Sequence, residues 1–351
     1  MSSKAAPQRS RLTPGVLIAL VIFAITFLIF RYVDVSRQIS SLKKSSVNIN
    51  AISGLPGENG PVLVVKIDDT SYAHPQVGLS EADLVYIEQV EGGLTRLAAV
   101  FSRSIPERIG PVRSARITDI DLLSQYGFIA FAYSGAQQKL RPVLAAANWK
   151  DVGAEKLGRQ YYANAEDRTP PYAMMLNAQT LMSKLEAKSE PIARAKTMGW
   201  KFGEAPDSGT AITQVDVTWP AARYTVRWSK AEGRWLLFHN GRPNVDDNNV
   251  QLGASTFVIQ NVRITPSEYR DKVGGVTPLS EVIGSGSGFI LRDGKSFPAQ
   301  WSRASADQGT MWRDLNGNEM FFAPGQIWVA LTDQPPRFTP ESKSQPSSPR
   351  P

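Results

Sequence analysis

At 351 residues the chain is long enough for two ordinary domains. Its hydrophobic fraction of 42% and charged fraction of 20% are those of a folded protein and exclude a largely disordered one. Part of the net charge of +7 sits in the N-terminal arm and no run of five or more basic residues appears elsewhere, which argues against a nucleic-acid partner, and the absence of cysteine excludes disulfides, thiolate catalysis and cysteine-based metal sites.

Residues 1–11 form a polar, basic tail with Lys4, Arg9 and Arg11. Leu12 to Phe30 then carry no charge, a length that suits a tilted membrane helix of ~20 residues. The run ends in Phe-Leu-Ile-Phe-Arg-Tyr and offers no small-residue cleavage site, so it reads as an uncleaved signal anchor over 12–33. The basic tail should stay in the cytoplasm, giving a single-pass cell-membrane protein whose remaining chain is extracytoplasmic. Residues 34–60 are rich in Ser, Asn, Gly and Lys and read as a tether. Val35, Ile39 and Leu42 keep helical spacing, so its first part could continue the membrane helix.

From residue 61 the pattern is that of a folded domain. Strands are expected from Val62 to Ile67, Leu84 to Val90 and Leu94 to Phe101. The link Glu91-Gly92-Gly93 makes the last two an antiparallel hairpin. A helix should follow from Ile117 to Tyr126, a strand from Phe128 to Tyr133, and helices from Gln137 to Ala147 and Asn177 to Ala187, with Asn177 as N-cap. Strands mixed with helices in this order give an α/β domain with a mixed sheet over 61–204. After a polar link at Ala205 to Gly209, residues 210–332 show short β runs and hairpin signals at Asp293-Gly294 and Asn316-Gly317, which suggest a small all-β domain. Residues 333–351, rich in Pro, Ser and Lys, should be disordered.

Polar residues that the fold alone does not require are densest between Glu91 and Arg116. Arg113, Ser114 and Arg116 precede a helical pattern. Two arginines three apart would share a helix face and add donors to free backbone N–H groups, making an anion site. The ordinary alternative is pairing with Asp119, Asp121 or Glu91. Asp68, Glu88, Glu91 and Arg96 could line the same cleft, since strand ends gather at crevices. Asp68 and Glu91 are the candidates for acid–base chemistry, although Glu88 and Glu91 do not share a strand face. Ser134-Gly135 could add N–H donors to the anion or simply cap the next helix.

Other features have plainer readings. His74 and His239, the chain's two histidines, lack metal-ligand spacing; His74 reads as a surface residue near Asp68 and Asp69, and His239 as a strand end. No metal or cofactor is expected. Gly284 to Gly288 reads as a flexible turn, not a nucleophile elbow or phosphate loop. Asp314 to Asn318 reads as a hairpin, because a calcium loop would need glycine where Glu319 stands. Trp219, Trp228, Trp235, Trp301, Trp312 and Trp328 read as β-domain core rather than a sugar-stacking surface.

Together, Gly78-Leu-Ser-Glu-Ala-Asp-Leu-Val-Tyr86, Val90-Glu-Gly-Gly-Leu-Thr-Arg96 and Gly110-Pro-Val-Arg-Ser-Ala-Arg116 resemble the DUF3048 family of YerB-like envelope proteins, many of them lipoproteins. Gly284-Ser-Gly286, Asp293-Gly-Lys295, Trp301, Asp314 to Gly317 and Pro324-Gly-Gln-Ile-Trp-Val329 are similar to its C-terminal domain. The resemblance spans roughly residues 55–331 and implies an exported, membrane-tethered protein of two domains, with no mechanism attached. The chain departs from the family in three places. A membrane helix replaces the lipid-bearing cysteine, Tyr172 stands where Ala-Pro-His-Asn would place histidine, and Asn244 follows Pro243 where a histidine is often seen.

The reading that follows is a membrane-anchored extracytoplasmic binding or accessory protein of the cell envelope. Arg96, Arg113, Ser114, Arg116 and Ser134 would hold an anionic group of an envelope polymer or an envelope protein. Two other readings stand beside it. One is an envelope glycan hydrolase or transferase using Glu91 or Asp68 with arginine clamping. The other is a scaffold with no small ligand.

Overall fold

The run Leu63–Asp68 is apolar at every position but two, and it forms a strand buried on both faces. Around it, the computed structural model describes residues 48–341, together with Arg31. The expected membrane span and basic tail therefore lie outside the described residues, Arg31 excepted, as do residues 342–351. Among the described residues no helix is long and apolar enough to cross a membrane.

The N-terminal half runs β1 (Leu63–Asp68), β2 (Leu84–Gln89), β3 (Thr95–Phe101), β4 (Arg108–Ile109), α1 (Thr118–Ser124) and β5 (Ile129–Ala132). It continues with α2 (Arg141–Ala146), β6 (Trp149–Asp151), α3 (Ala154–Leu157), β7 (Tyr162–Asn164), β8 (Met174–Asn177), α4 (Ala178–Ala187) and β9 (Lys201–Phe202). Among the described residues the C-terminal half is built of strands without helices: β10 (Thr210–Trp219), β11 (Ala222–Ser229), β12 (Arg234–His239), β13 (Arg242–Pro243), β14 (Gly253–Ala254) and β15 (Thr256–Asn261). Then come β16 (Ile264–Arg270), β17 (Val276–Ser280), β18 (Gly284–Arg292), β19 (Lys295–Arg303), β20 (Met311–Asp314), β21 (Phe321–Phe322), β22 (Ile327–Thr332) and β23 (Arg337–Pro340).

One mixed sheet carries the fold, with the path β13-β12-β11-β10-β19-β18-β15-β22-β2-β3-β1-β5-β6. β2 and β3 form the antiparallel hairpin expected of the Gly92-Gly93 turn, where both glycines take positive φ. β22 runs parallel to both β15 and β2, so a C-terminal strand sits beside an N-terminal one. No local pattern announces that pairing; it joins strands more than 200 residues apart in sequence.

The pleat divides the core in two. Leu63, Val65 and Ile67 of β1, with Val85, Ile87, Leu97, Ala99, Phe257 and Trp328, pack on one face against α4 and the β10–β12 strands. Val62, Val64, Leu84, Tyr86, Ala98, Val100 and Val258 pack on the other against α1, α2 and the buried Trp200, Trp301 and Trp312. Five of the six C-terminal tryptophans are buried core residues, and Trp228 is half-buried against Trp235.

Several local expectations are corrected. Residues 48–60, expected within the tether, are packed: Ile52 and Asn50 are fully buried, and the Asn50 amide donates to Ser102 Oγ at 2.9 Å. Asn177 occupies the N-cap position of α4 but makes no side-chain cap. Gly284 to Gly288 is no turn but the start of β18. A Cβ at Gly286 would lie 2.7 Å from the Trp301 ring, and one at Gly288 would lie 2.3 Å from the Ile259 carbonyl. These glycines make room for neighbours rather than for flexibility. Arg337–Pro340, expected to be disordered, pairs with β10, anchored by Phe338 against Phe289 at 4.9 Å between ring centroids.

On the second face, the period-2 rule brings Lys66, Glu88 and Arg96 into line near the ends of β1, β2 and β3. Lys66 is fully buried between Glu88 and Asp119, donating to Asp119 Oδ1 at 2.8 Å. Burial pushes its pKa down to about 8, against the pull of Asp119. Lys66→Met would strand two buried carboxylates, an expected loss of about 3–5 kcal/mol. Glu88→Gln should lose less, because Asp119 still pairs with the lysine. Urea unfolding of the two variants checks this order.

Candidate functional site

Asp68 ends β1, and Arg96 of β3 stands opposite both Asp68 and Glu88 in the strand register. Residues 111–115 run extended along β1 instead of starting a helix. Asp68 N donates to the Pro111 carbonyl at 2.9 Å, Arg113 N to the Lys66 carbonyl at 2.8 Å, and Ser134 N to the Arg113 carbonyl at 2.9 Å. This corrects the expectation that Arg113 and Arg116 share a helix face. α1 begins only at Thr118, and its first turn carries Asp119 and Asp121. Asp119 accepts the Arg116 N–H at 2.7 Å, so that helix start already has its anion.

Asp68, Glu91, Arg96, Arg113, Ser114 and Arg116 line one cavity of about 730 Å³. The sequence singled out all six. Arg113 Nε lies 2.5 Å from Asp68 Oδ2. Arg116 donates through Nε and its terminal nitrogen to Glu91 Oε2 at 2.9 and 2.7 Å. Arg96 differs. It is 8% exposed, donates to the Ser114 carbonyl at 2.9 Å, and has no carboxylate in ion-pair contact among the described residues. Burial and the neighbouring Arg116 and Arg113 charges push its pKa down to about 9, which leaves it charged at neutral pH.

The remaining walls come from segments that the sequence did not mark. The β16–β17 hairpin brings Arg270, Asp271, Lys272 and Val273 over the cavity, the loop before α2 brings Gln137 and Gln138, and the first residue of α2 is Arg141. The hairpin is pinned by the Thr277 hydroxyl, which donates to Glu91 Oε1, and by Ser280 N on Thr118 Oγ1 at 3.1 Å. Six cationic side chains thus face three carboxylates. The Arg-Asp-Lys cluster at 270–272 was the available signal, but nothing local says which way a hairpin tip folds.

A neighbouring cavity of about 380 Å³ shares Arg113, Ser114 and Arg141 and adds Ser134 and Pro171. Ser134 Oγ is 3.4 Å from Ser114 Oγ. It caps no helix, because α2 starts at Arg141. Tyr172, at the position expected of a family histidine, lies with its ring 5.9 Å from the Arg113 guanidinium and stacks on Tyr72 at 5.4 Å. Glu88 does not reach the cavity; it is held beneath it by Lys66.

Chemically, the cavity offers positive charge more than a base. Both of its deeper carboxylates are tied to arginines. Burial works to raise the Glu91 pKa, but the Arg116 charge and hydrogen bonds, with that of Thr277, hold it below the ordinary value. Away from this cavity, His239 ends β12 as expected, whereas His74 is half-buried instead of lying at the surface. Their rings stack at 4.5 Å, and both face the buried Asp69.

With this geometry in hand, comparison with known proteins gives consistent matches. The model of the N-terminal domain of a protein of unknown function, DUF3048, matches residues 52–191, and that of its C-terminal domain matches residues 215–329. The chain is 33% identical over 290 residues to a Bacillus subtilis (strain 168) protein named "Putative lipoprotein YerB", covering 78% of this chain and 81% of that protein. The crystal structure of YerB from Bacillus subtilis superposes with a TM-score of 0.70 at 19% identity, over 82% of this chain and 97% of that one.

The Glu91–Arg116 pair sets an acid limit on stability. Glu91 titrates lower in the folded chain than its ordinary 4.5, so the unfolded chain takes up the proton first. The pair's stabilisation is present above that value and is lost as pH falls through the folded one. Glu91→Gln should therefore be less stable than wild type at neutral pH, with the gap closing as pH falls below the ordinary carboxylate value. Thermal unfolding as a function of pH checks it. Arg116→Ala should cost about 2 kcal/mol at pH 7, less than a fully buried pair because Glu91 keeps some contact with water.

Proposed function

Because the chain belongs to the DUF3048 family, we propose that it is a membrane-held envelope protein whose main cavity binds an anionic group. The observation that carries this reading is Arg96, a buried guanidinium with no carboxylate in ion-pair contact among the described residues, opening onto the cavity beside Arg113 and Arg116. Taking a guanidinium out of water is expensive unless an anion answers it. Phosphate and carboxylate groups suit such a cluster, since arginines can grip them through two parallel hydrogen bonds.

The envelope placement is supported by the lipoprotein name of the relative and by the uncharged run at 12–30. With no cysteine, a lipid thioether is not available here, and the apolar run would supply the anchor instead. The glycan-hydrolase reading is weaker. Asp68 and Glu91 are each committed to an arginine, and Glu91, held below its ordinary pKa, is a poor general base at neutral pH.

The test uses the full chain in detergent micelles, with inorganic phosphate and citrate as probes. Both should raise the melting temperature, and the effect should shrink as sodium chloride rises. Arg113→Ala/Arg141→Ala removes two partly exposed guanidinia and leaves the Glu91–Arg116 pair intact. At about 1.5–3 kcal/mol per charge-assisted contact, phosphate affinity should fall at least tenfold. Equal shifts in wild type and variant would remove the cavity from the binding reading. Absence of any shift would favour a scaffold role.

A further inference from the structure

We propose that Asp69, His74 and His239 form a binding site for a divalent first-row transition-metal ion, zinc being the best match to the donor set. Asp69 and His74 come from the loop after β1, and His239 is the last residue of β12. Their nearest ligand atoms all lie within 4.8 Å of one another. Two imidazoles and one carboxylate are a recurrent zinc set, with the fourth position left to water or a ligand. Metal–ligand bonds of ~2.0–2.1 Å in a tetrahedron put ligand atoms about 3.3 Å apart. His74 Nε2 lies 3.3 Å from Asp69 Oδ1, and His239 Nε2 lies 3.8 Å from Asp69 Oδ2.

The surroundings orient the donors. His74 Nδ1 is 3.1 Å from Asn244 Oδ1, so the ring proton belongs on Nδ1 and the Nε2 lone pair is turned toward Asp69. Two acceptors then face each other, an arrangement that a cation between them relieves. Asp69 is fixed by Thr95 Oγ1 at 2.6 Å and Tyr224 Oη at 2.8 Å. Gln76 Nε2 reaches both His74 Nε2 and Asp69 Oδ1, at 3.2 and 3.3 Å, while its buried Oε1 has no hydrogen-bond partner. Asp69 and His239 are buried, and the His74 side chain is 17% exposed, giving the ion a way in.

The site is separate from the arginine cavity, though Thr95 touches both. It does not depend on the anion-binding reading. An ion there would join residues from the two halves of the sequence and so stabilise their contact.

The chain's two histidines and absent cysteines make the test clean. Full-length, tag-free protein is stripped with EDTA, dialysed and titrated with zinc chloride, and bound metal is measured by elemental mass spectrometry. One zinc per chain at micromolar or tighter affinity, with a raised melting temperature, is expected. Cobalt(II) should give visible absorption bands of a four-coordinate site. His74→Ala and His239→Ala should each weaken zinc at least tenfold. Asn244→Ala, which touches no metal, should weaken it by about tenfold through loss of ring orientation. Urea midpoints without metal identify any variant that has simply lost its fold; His74→Ala, altered at a partly exposed loop, should keep its midpoint. Failure of wild type to bind one equivalent, or unchanged affinity in a folded His74→Ala, overturns the site.

Discussion

Lys66 is the residue on which the functional face depends. It is a fully buried ammonium between two fully buried carboxylates, Glu88 and Asp119. Such a group is tolerated only with near-complete compensation. That requirement fixes α1 over β1 and β2, because Asp119 must reach the lysine from the helix while Glu88 reaches it from the sheet. Asp119 also accepts the Arg116 N–H, so the same carboxylate sets where the chain enters the helix and where Arg116 starts. The arginine cluster is thus positioned by a buried ionic contact beneath it. Coulombic pressure from Arg96 and Arg116 further lowers the lysine pKa, which shows how closely the layers are coupled.

The charge arrangement explains why the cavity favours an anion over chemistry on its own carboxylates. Moving outward from Lys66, each charge is answered until Arg96. Asp68 answers Arg113 and Glu91 answers Arg116. Among the described residues Arg96 touches a carbonyl and no carboxylate, and the repulsion of Arg116 and Arg113 outweighs the more distant pull of Glu91 and Asp68. A ligand that brings one or two negative charges completes the series. Partial enclosure under the β16–β17 hairpin lowers the effective dielectric and strengthens that attraction over the value in open water.

What the sequence revealed followed the range of its signals. β1, β2, β3 and β5 came from short apolar runs, and the β2–β3 turn from two adjacent glycines. The six residues of the arginine cavity were legible because they sit in three dense polar stretches at strand ends. The hairpin roof was not, since Arg270 and Lys272 look like any exposed pair until Thr277 is seen to hold Glu91. The Asp69–His74–His239 group was missed because metal-ligand spacing is a local test. His239 lies 165 residues after His74, and only the packing of β12 against the loop after β1 brings the rings together. Gly286 and Gly288 misled in the opposite sense, since a glycine that clears a tryptophan ring and one that permits a turn look alike in sequence.

The two sequence halves are better regarded as one functional unit than as a binding domain with an accessory. β2 has β3 on one side and β22 on the other, so without the C-terminal strand its backbone edge would be open. Glu91 divides its oxygens between Arg116 of the first half and Thr277 of the second. Asp69 does the same, taking Thr95 from the first half and Tyr224 from the second. Both of these bridges between the halves end on a carboxylate at or beside the arginine cavity. A ligand that reorients Glu91, or an ion that draws on Asp69, would act on the seam between the halves.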